Sequence, residues 1–250
     1  MRVENIVLDG QCNVTLTAYI ADIERDHNID RRPAVIVFPG GGYKFCSDQE
    51  GEPVALNFCA AGYHAFVLRY SVNDKFTDGK PLADYEKAYE YILSRADDWR
   101  IMTDKIAVMG FSAGGHLAAC AATMSRYRPA AAILGYAVTL RETVDAHEMG
   151  TLEPCAHITP DTCPTFLFAT ANDVIVPIAN TLEYASALNR CGVPFECHIY
   201  SQGEHGFSLG TQGLIRYGNK LCERAGNWFP DCASGHKETR GGSQNKKNKY

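Results

Sequence analysis

Lys105-Ile106-Ala107-Val108-Met109-Gly110-Phe111-Ser112-Ala113-Gly114-Gly115 is the stretch from which the architecture of this chain is read. Its first six residues read as a strand, and after Lys105 they form a continuous apolar run, the pattern of a strand buried on both faces of a sheet. A helix of small residues begins at about Ala113. Between them lies G-x-S-x-G, in the strand-to-helix setting that a nucleophile elbow demands. The turn is so sharp that a side chain at either glycine would strike the neighbouring strand or helix, and it leaves Ser112 exposed above the sheet. A plain Gly/Ser turn is the alternative. A dinucleotide-binding loop is the weaker rival, because G-x-G-x-x-G is absent.

Working outward, strand-like and helical segments alternate. Residues 3–8 and 14–20 straddle the turn signal Asp9-Gly10 and suggest an antiparallel pair. Ala34-Val35-Ile36-Val37-Phe38 is a buried strand ending in Pro39-Gly40-Gly41-Gly42. Ser47 and Glu50 have capping-box spacing for a helix that Gly62 closes. A strand over 63–70 follows, then a helix opened by Pro81 with Leu82, Tyr85, Tyr89 and Ile92 on one face. Beyond the elbow, the pattern predicts a strand over 130–138, an irregular stretch over 140–163 and a strand over 165–170. Next come a helix carrying Ile178, Leu182, Ala185 and Leu188 and closed by Gly192, a strand over 195–200, and a helix carrying Leu214, Tyr217, Leu221 and Trp228. This order predicts one open, largely parallel sheet covered on both faces, with the active site at the strands' carboxyl ends.

A serine hydroxyl needs a base to take its proton, and the base needs a group to orient it. In this type of fold the chain order is serine, acid, histidine. Asp173, in Asn172-Asp173-Val174-Ile175-Val176-Pro177, lies just past the strand over 165–170. His205, in Gly203-Glu204-His205-Gly206-Phe207, is the one late histidine in a glycine-flanked loop. Asp145 and Asp161 are weaker acid candidates because they precede that strand. His198 sits within a strand, and His116, four residues after Ser112, should point away from it along the helix; both are read as structural. The developing oxyanion requires donors, for which the backbone N–H groups of Gly41 and Gly42, with that of Ala113 after the nucleophile, are the candidates. A phosphate cradle is disfavoured, since no Walker lysine follows the three glycines.

With PGGGY, GFSAGG, NDVIVP and GEHGF in this order, the chain resembles the α/β-hydrolase superfamily over roughly residues 15–229, specifically an esterase branch that includes acetyl-xylan-esterase-like enzymes and relatives of the hormone-sensitive-lipase group. The resemblance implies a mostly parallel eight-stranded sheet, a catalytic triad of Ser112, Asp173 and His205, and no cofactor. Two features depart from the lipase group. Pro39 stands where a histidine usually precedes the glycines, and Asp173-Val174-Ile175-Val176-Pro177 stands where D-P-L-x-D-E is usual. Both favour the sugar-ester side, with a small-molecule or oligosaccharide ester as substrate. Only about 26 residues separate the strands on either side of residues 140–163, so the expected cap is short, the site open and the acyl group short. An arylformamidase, a serine peptidase and a catalytically silent binding module of the same fold are the rival readings.

Composition narrows the field further. The 250 residues are 46% hydrophobic and 21% charged, which describes one globular domain, expected over residues 1–230, with a flexible polar tail over 231–250. The net charge of −5 divides into about −8 for the body and +3 for the last twenty residues. A body this acidic lacks the basic face that nucleic acid requires. No apolar run approaches the ~18–20 residues of a membrane span, and the first residues lack both the basic and the apolar regions of an export signal. The ten cysteines include no C-x-x-C pair. Reduced thiols in a cytoplasmic protein, with no metal site, are expected.

Overall fold

A computed structural model describes residues 1–23, 29–214 and 220–233. Eight strands form one sheet in the order β1-β2-β4-β3-β5-β6-β7-β8. β1 (Arg2–Asp9) and β2 (Val14–Ile20) make the expected antiparallel pair. The turn between them is held by Asp9, whose carboxylate accepts the N–H groups of Gln11 and Cys12. β2 runs antiparallel to β4 (His64–Arg69). From β4 onward every pairing is parallel, through β3 (Arg32–Phe38), β5 (Ile101–Phe111), β6 (Ala131–Gly135), β7 (Thr165–Thr170) and β8 (Phe195–Tyr200). The chain leaves β3 toward one edge and returns at β5 to build the other. The carboxyl ends of β3 and β5 therefore meet at a topological switch point, where open α/β sheets place their ligands.

Strand alternation sends residues to two separate cores. Ala34, Ile36 and Phe38 of β3 join one cluster with Tyr85, Leu117 and Leu188, from α2 (Lys80–Ser94), α3 (Ala113–Thr123) and α5 (Ala179–Arg190). Val35 and Val37 join the other with Val54, Ala55 and Phe58 of α1 (Glu52–Ala60). Trp228 closes this second core, stacked on Phe168 at 4.4 Å.

Four local expectations need correction. Ser47 makes no side-chain cap, residues Asp48–Glu50 form a 3-10 turn, and α1 begins only at Glu52. The strand expected to reach 138 ends at Gly135, because Tyr136 turns to a positive φ of 35°. The stretch over 140–163 contains a short helix, α4 (Arg141–Ala146), and a 3-10 turn at Pro154–His157. Leu214 and Trp228 lie in separate elements: among the described residues a 3-10 turn spans Gln212–Leu214, residues 220–224 are not helical, another 3-10 turn spans Ala225–Asn227, and helix occupies 228–233. Tyr217 lies outside the described residues. The helix over 228–233 crosses the boundary expected at 230, and Cys232 is buried in the second core. The rest of the expected tail, 234–250, lies outside the described residues. Among the described residues no helix is long and apolar enough to cross a membrane.

Two histidines are enclosed by this packing. His64 accepts the Ala21 N–H at 3.1 Å through Nδ1, and His116 lies inside α3. Burial holds both down at about 4, against an ordinary value of 6.5. Between those values the unfolded chain binds protons that the folded chain refuses, so stability is complete above pH 6.5 and declines as pH falls toward 4. Urea unfolding should lose about 4 kcal/mol between pH 6.5 and 4.5, roughly 2 kcal/mol from each imidazole; a flat profile would contradict buried neutral imidazoles.

Candidate active site

At the switch point the backbones approach so closely that side chains are excluded. An ideal Cβ at Gly110 would lie 1.9 Å from the Gly114 carbonyl oxygen, and one at Gly114 would lie 2.1 Å from that of Phe38. These contacts force Ser112 into φ 52°, ψ −116°, a conformation L-residues adopt only under constraint. The Ser112 N–H donates to the Gly135 carbonyl at 3.0 Å, pinning the elbow to β6. Ala113 is the first residue of α3, so its N–H has no acceptor within the helix.

The structure brings Ser112, Asp173 and His205 together. Asp173 follows β7, and its Oδ1 accepts the N–H groups of Ile175 and Val176 at 2.8 and 2.9 Å. With that oxygen occupied, Oδ2 faces His205 Nδ1 at 2.7 Å. The carboxylate only accepts, which puts the proton on Nδ1 and leaves Nε2 to accept from the Ser112 hydroxyl at 2.9 Å. The His205 loop is anchored where the Gly203 N–H donates to Asn172 Oδ1 and the Thr170 hydroxyl donates to the Gly203 carbonyl. The Tyr136 ring meets the imidazole edge-on at 5.0 Å between centroids. Such a relay can deprotonate a hydroxyl and hold the resulting imidazolium.

The three glycines form a turn over the elbow. Gly41 has φ +131°, and a Cβ there would meet the Phe45 carbonyl oxygen at 2.0 Å. Its own carbonyl accepts the N–H groups of Lys44 and Phe45. Gly40 donates its N–H to Glu50 Oε2 at 2.8 Å. Tyr43 stands at the loop's far end and donates its hydroxyl to His116 Nδ1 at 2.8 Å, while His116 Nε2–H reaches the Leu152 carbonyl at 2.9 Å. His116 thus braces the glycine loop against the segment over 140–163.

Gly41, Gly42, Ser112 and His205 line one pocket of about 170 Å³. Val138, Met149 and Val176 contribute apolar wall, and His147 stands at the rim, its Nε2–H donating to the Ile175 carbonyl at 3.0 Å. The wall segment is fastened by buried Asn180, whose Oδ1 accepts the N–H groups of Thr139 and Leu140 and whose Nδ2 donates to Thr143.

The other candidates lie elsewhere. Asp145 pairs with Arg141 on α4, and Asp161 is exposed in a turn. His198 stacks on Phe166 and bonds Glu196 at 2.6 Å. Sequence reasoning missed Glu50 and Tyr136. Capping-box spacing disguised the first, and the second was assigned to the end of a strand. Among the described residues no cluster of three or more His, Cys, Asp or Glu is placed to hold a metal ion.

Comparisons with known proteins agree with this fold. The BD-FAE family model matches residues 22–129. An acetylxylan esterase of Xylanibacter ruminicola is 30% identical over 223 residues, covering 78% of this chain and 45% of that protein. The chain spans less than half the length of the curated relatives it matches. An α/β-hydrolase enzyme from a Medee basin deep-sea metagenome library is 38% identical, with a TM-score of 0.88 over 95% of this chain and 97% of that one. The acetyl ester-xyloside bifunctional hydrolase of Caldicellulosiruptor lactoaceticus is 30% identical, with a TM-score of 0.79 over 91% and 89% of the two chains. This chain belongs to the α/β-hydrolase superfamily, on its esterase branch.

Gly114→Ala should cost at least about 3 kcal/mol, because the contact it creates is with backbone rather than a side-chain tip. Thermal unfolding of Gly114→Ala beside Gly213→Ala, where a Cβ meets nothing within 4 Å, gives the comparison; equal stabilities would refute the packing argument.

Proposed function

We propose that this protein is a serine carboxylesterase that removes short acyl groups, acetyl above all, from carbohydrate esters such as acetylated xylo-oligosaccharides. The observation that carries this reading is the unbroken hydrogen-bonded chain from Asp173 through His205 to Ser112. Ser112 Oγ attacks the ester carbonyl as His205 Nε2 takes its proton. Asp173, fixed by two backbone donors, stabilises the imidazolium without itself being protonated. The backbone N–H groups of Gly41, Gly42 and Ala113 face the charge that develops on the carbonyl oxygen, each worth about 3 kcal/mol in the transition state. The imidazolium then protonates the departing alkoxide. Water, deprotonated by the same imidazole, releases the acid from the acyl-enzyme.

Acyl size follows from the pocket. A volume of about 170 Å³ lies below the ~300 Å³ at which pockets for drug-sized ligands begin, and suits an acetyl group better than a long chain. The sugar ester is supported by the relatives named for acetylxylan and acetyl ester-xyloside hydrolysis. Ten unpaired thiols fit a reducing, cytoplasmic setting.

Ser112→Ala should keep the fold, lose ester turnover and lose labelling by a fluorophosphonate; persistent labelling would defeat the assignment. Asp173→Asn should lower kcat by about 10³–10⁴ by favouring the wrong imidazole tautomer. In a p-nitrophenyl ester series, kcat/KM should fall steeply beyond butyrate, and preference for octanoate over acetate would overturn the acyl-size argument. Acetate release from acetylated xylo-oligosaccharides, assayed beside N-formylkynurenine hydrolysis, separates the esterase from the formamidase reading.

A further inference from the structure

We propose that Glu50 is a positioning residue for this reaction, holding the glycine loop and the His205 loop in register on either side of Ser112; the inference rests on the triad reading above. The Glu50 side chain is buried, with 1% of the residue exposed. Its two carboxylate oxygens face different parts of the site. Oε2 accepts the Gly40 N–H at 2.8 Å, and Oε1 accepts the Tyr136 hydroxyl at 2.7 Å. That hydroxyl in turn accepts the Ser208 N–H at 3.0 Å, so its single proton is committed to Glu50. The neighbouring Gln49 extends the grip, its Nε2 donating to the Gly206 carbonyl at 2.7 Å and its own carbonyl accepting the Ser208 hydroxyl at 2.6 Å. The turn over residues 48–50 thus holds Gly40 on one side and residues 206–208, next to His205, on the other.

The nucleophile lies in the same contact. A Cβ built at Gly40 would sit 2.7 Å from Glu50 Oε2 and 3.1 Å from Ser112 Cβ. A helix-capping duty does not account for the residue, since the Ser47 N–H that a capping box would satisfy goes to the Gly40 carbonyl at 2.9 Å. An ionised carboxylate suits the position because it accepts from two donors at once through charge-assisted bonds. A glutamine offers one oxygen and one NH₂, so either the Gly40 N–H or the Tyr136 hydroxyl would confront another donor. Freed of that bond, the glycine loop moves relative to Ser112, and misplacement on the scale of 1 Å at a reacting centre costs up to about 10²-fold in rate.

The test uses Glu50→Gln, Tyr136→Phe and the double variant with p-nitrophenyl acetate, with Ser112→Ala alongside and near-UV circular dichroism to establish folding. Glu50→Gln should lower kcat about 10- to 100-fold while KM stays within about twofold. Tyr136→Phe should lower kcat in the same sense, and the double variant should be no slower than the worse single, because both remove one linkage. Wild-type kcat in folded Glu50→Gln, with Ser112→Ala inactive, overturns the proposal and leaves the triad reading intact. Full activity in Ser112→Ala removes the triad reading itself. If Glu50→Gln does not fold, Tyr136→Phe decides: a reduced kcat at constant KM supports the positioning role, and an unchanged kcat overturns it.

Discussion

The steric exclusion of side chains where β3, β5 and α3 converge governs the rest of the molecule. Gly110 and Gly114 let two backbones approach to distances no Cβ tolerates, and that approach bends the chain at Ser112 into a conformation it would not otherwise hold. The strain is sustained by packing on both sides: α3 is buried along its whole length, and the sheet beneath it is sealed by two independent cores. The serine therefore stands rigidly at the one place in the sheet where the connections diverge and leave a crevice open.

Around that fixed point the remaining groups arrive on loops, each pinned by backbone bonds rather than by bulk. Asp173 is held by the two amides that follow it, and the His205 loop by Asn172 and Thr170. The result is a proton relay whose carboxylate has one oxygen for its own loop and one for the imidazole. Loop residues are the usual carriers of function on a rigid scaffold; here the short-range bonds give them the precision that their secondary structure does not.

Most of this was legible in the sequence because the signals were local. Continuous apolar runs announced the parallel strands, glycines bracketed the elbow, and the order of Ser112, Asp173 and His205 matched their placement after β5, β7 and β8. The misreadings share a different cause. Ser47 and Glu50 have the spacing of a cap, but the carboxylate is drawn inward by Gly40 and Tyr136, partners 10 and 86 residues away. Tyr136 reads as strand until its positive φ turns it toward the site. Apolar residues over 214–228 have helical spacing, yet Trp228 is claimed by a stack on Phe168. In each case a long-range contact overrode a local preference, which no window of sequence displays.

The wall of the pocket has an attachment separate from that of the reactive groups. Met149 and Val138 belong to a segment between β6 and β7 that Asn180 ties down through Thr139, Leu140 and Thr143, whereas the relay is anchored after β7 and β8. In the proposed reaction, selectivity for the acyl chain and competence for bond cleavage are thereby carried by different parts of the polypeptide. Lengthening or exchanging the stretch over 140–163 offers a route by which descendants of one scaffold diversify their diet of esters while inheriting the same chemical engine.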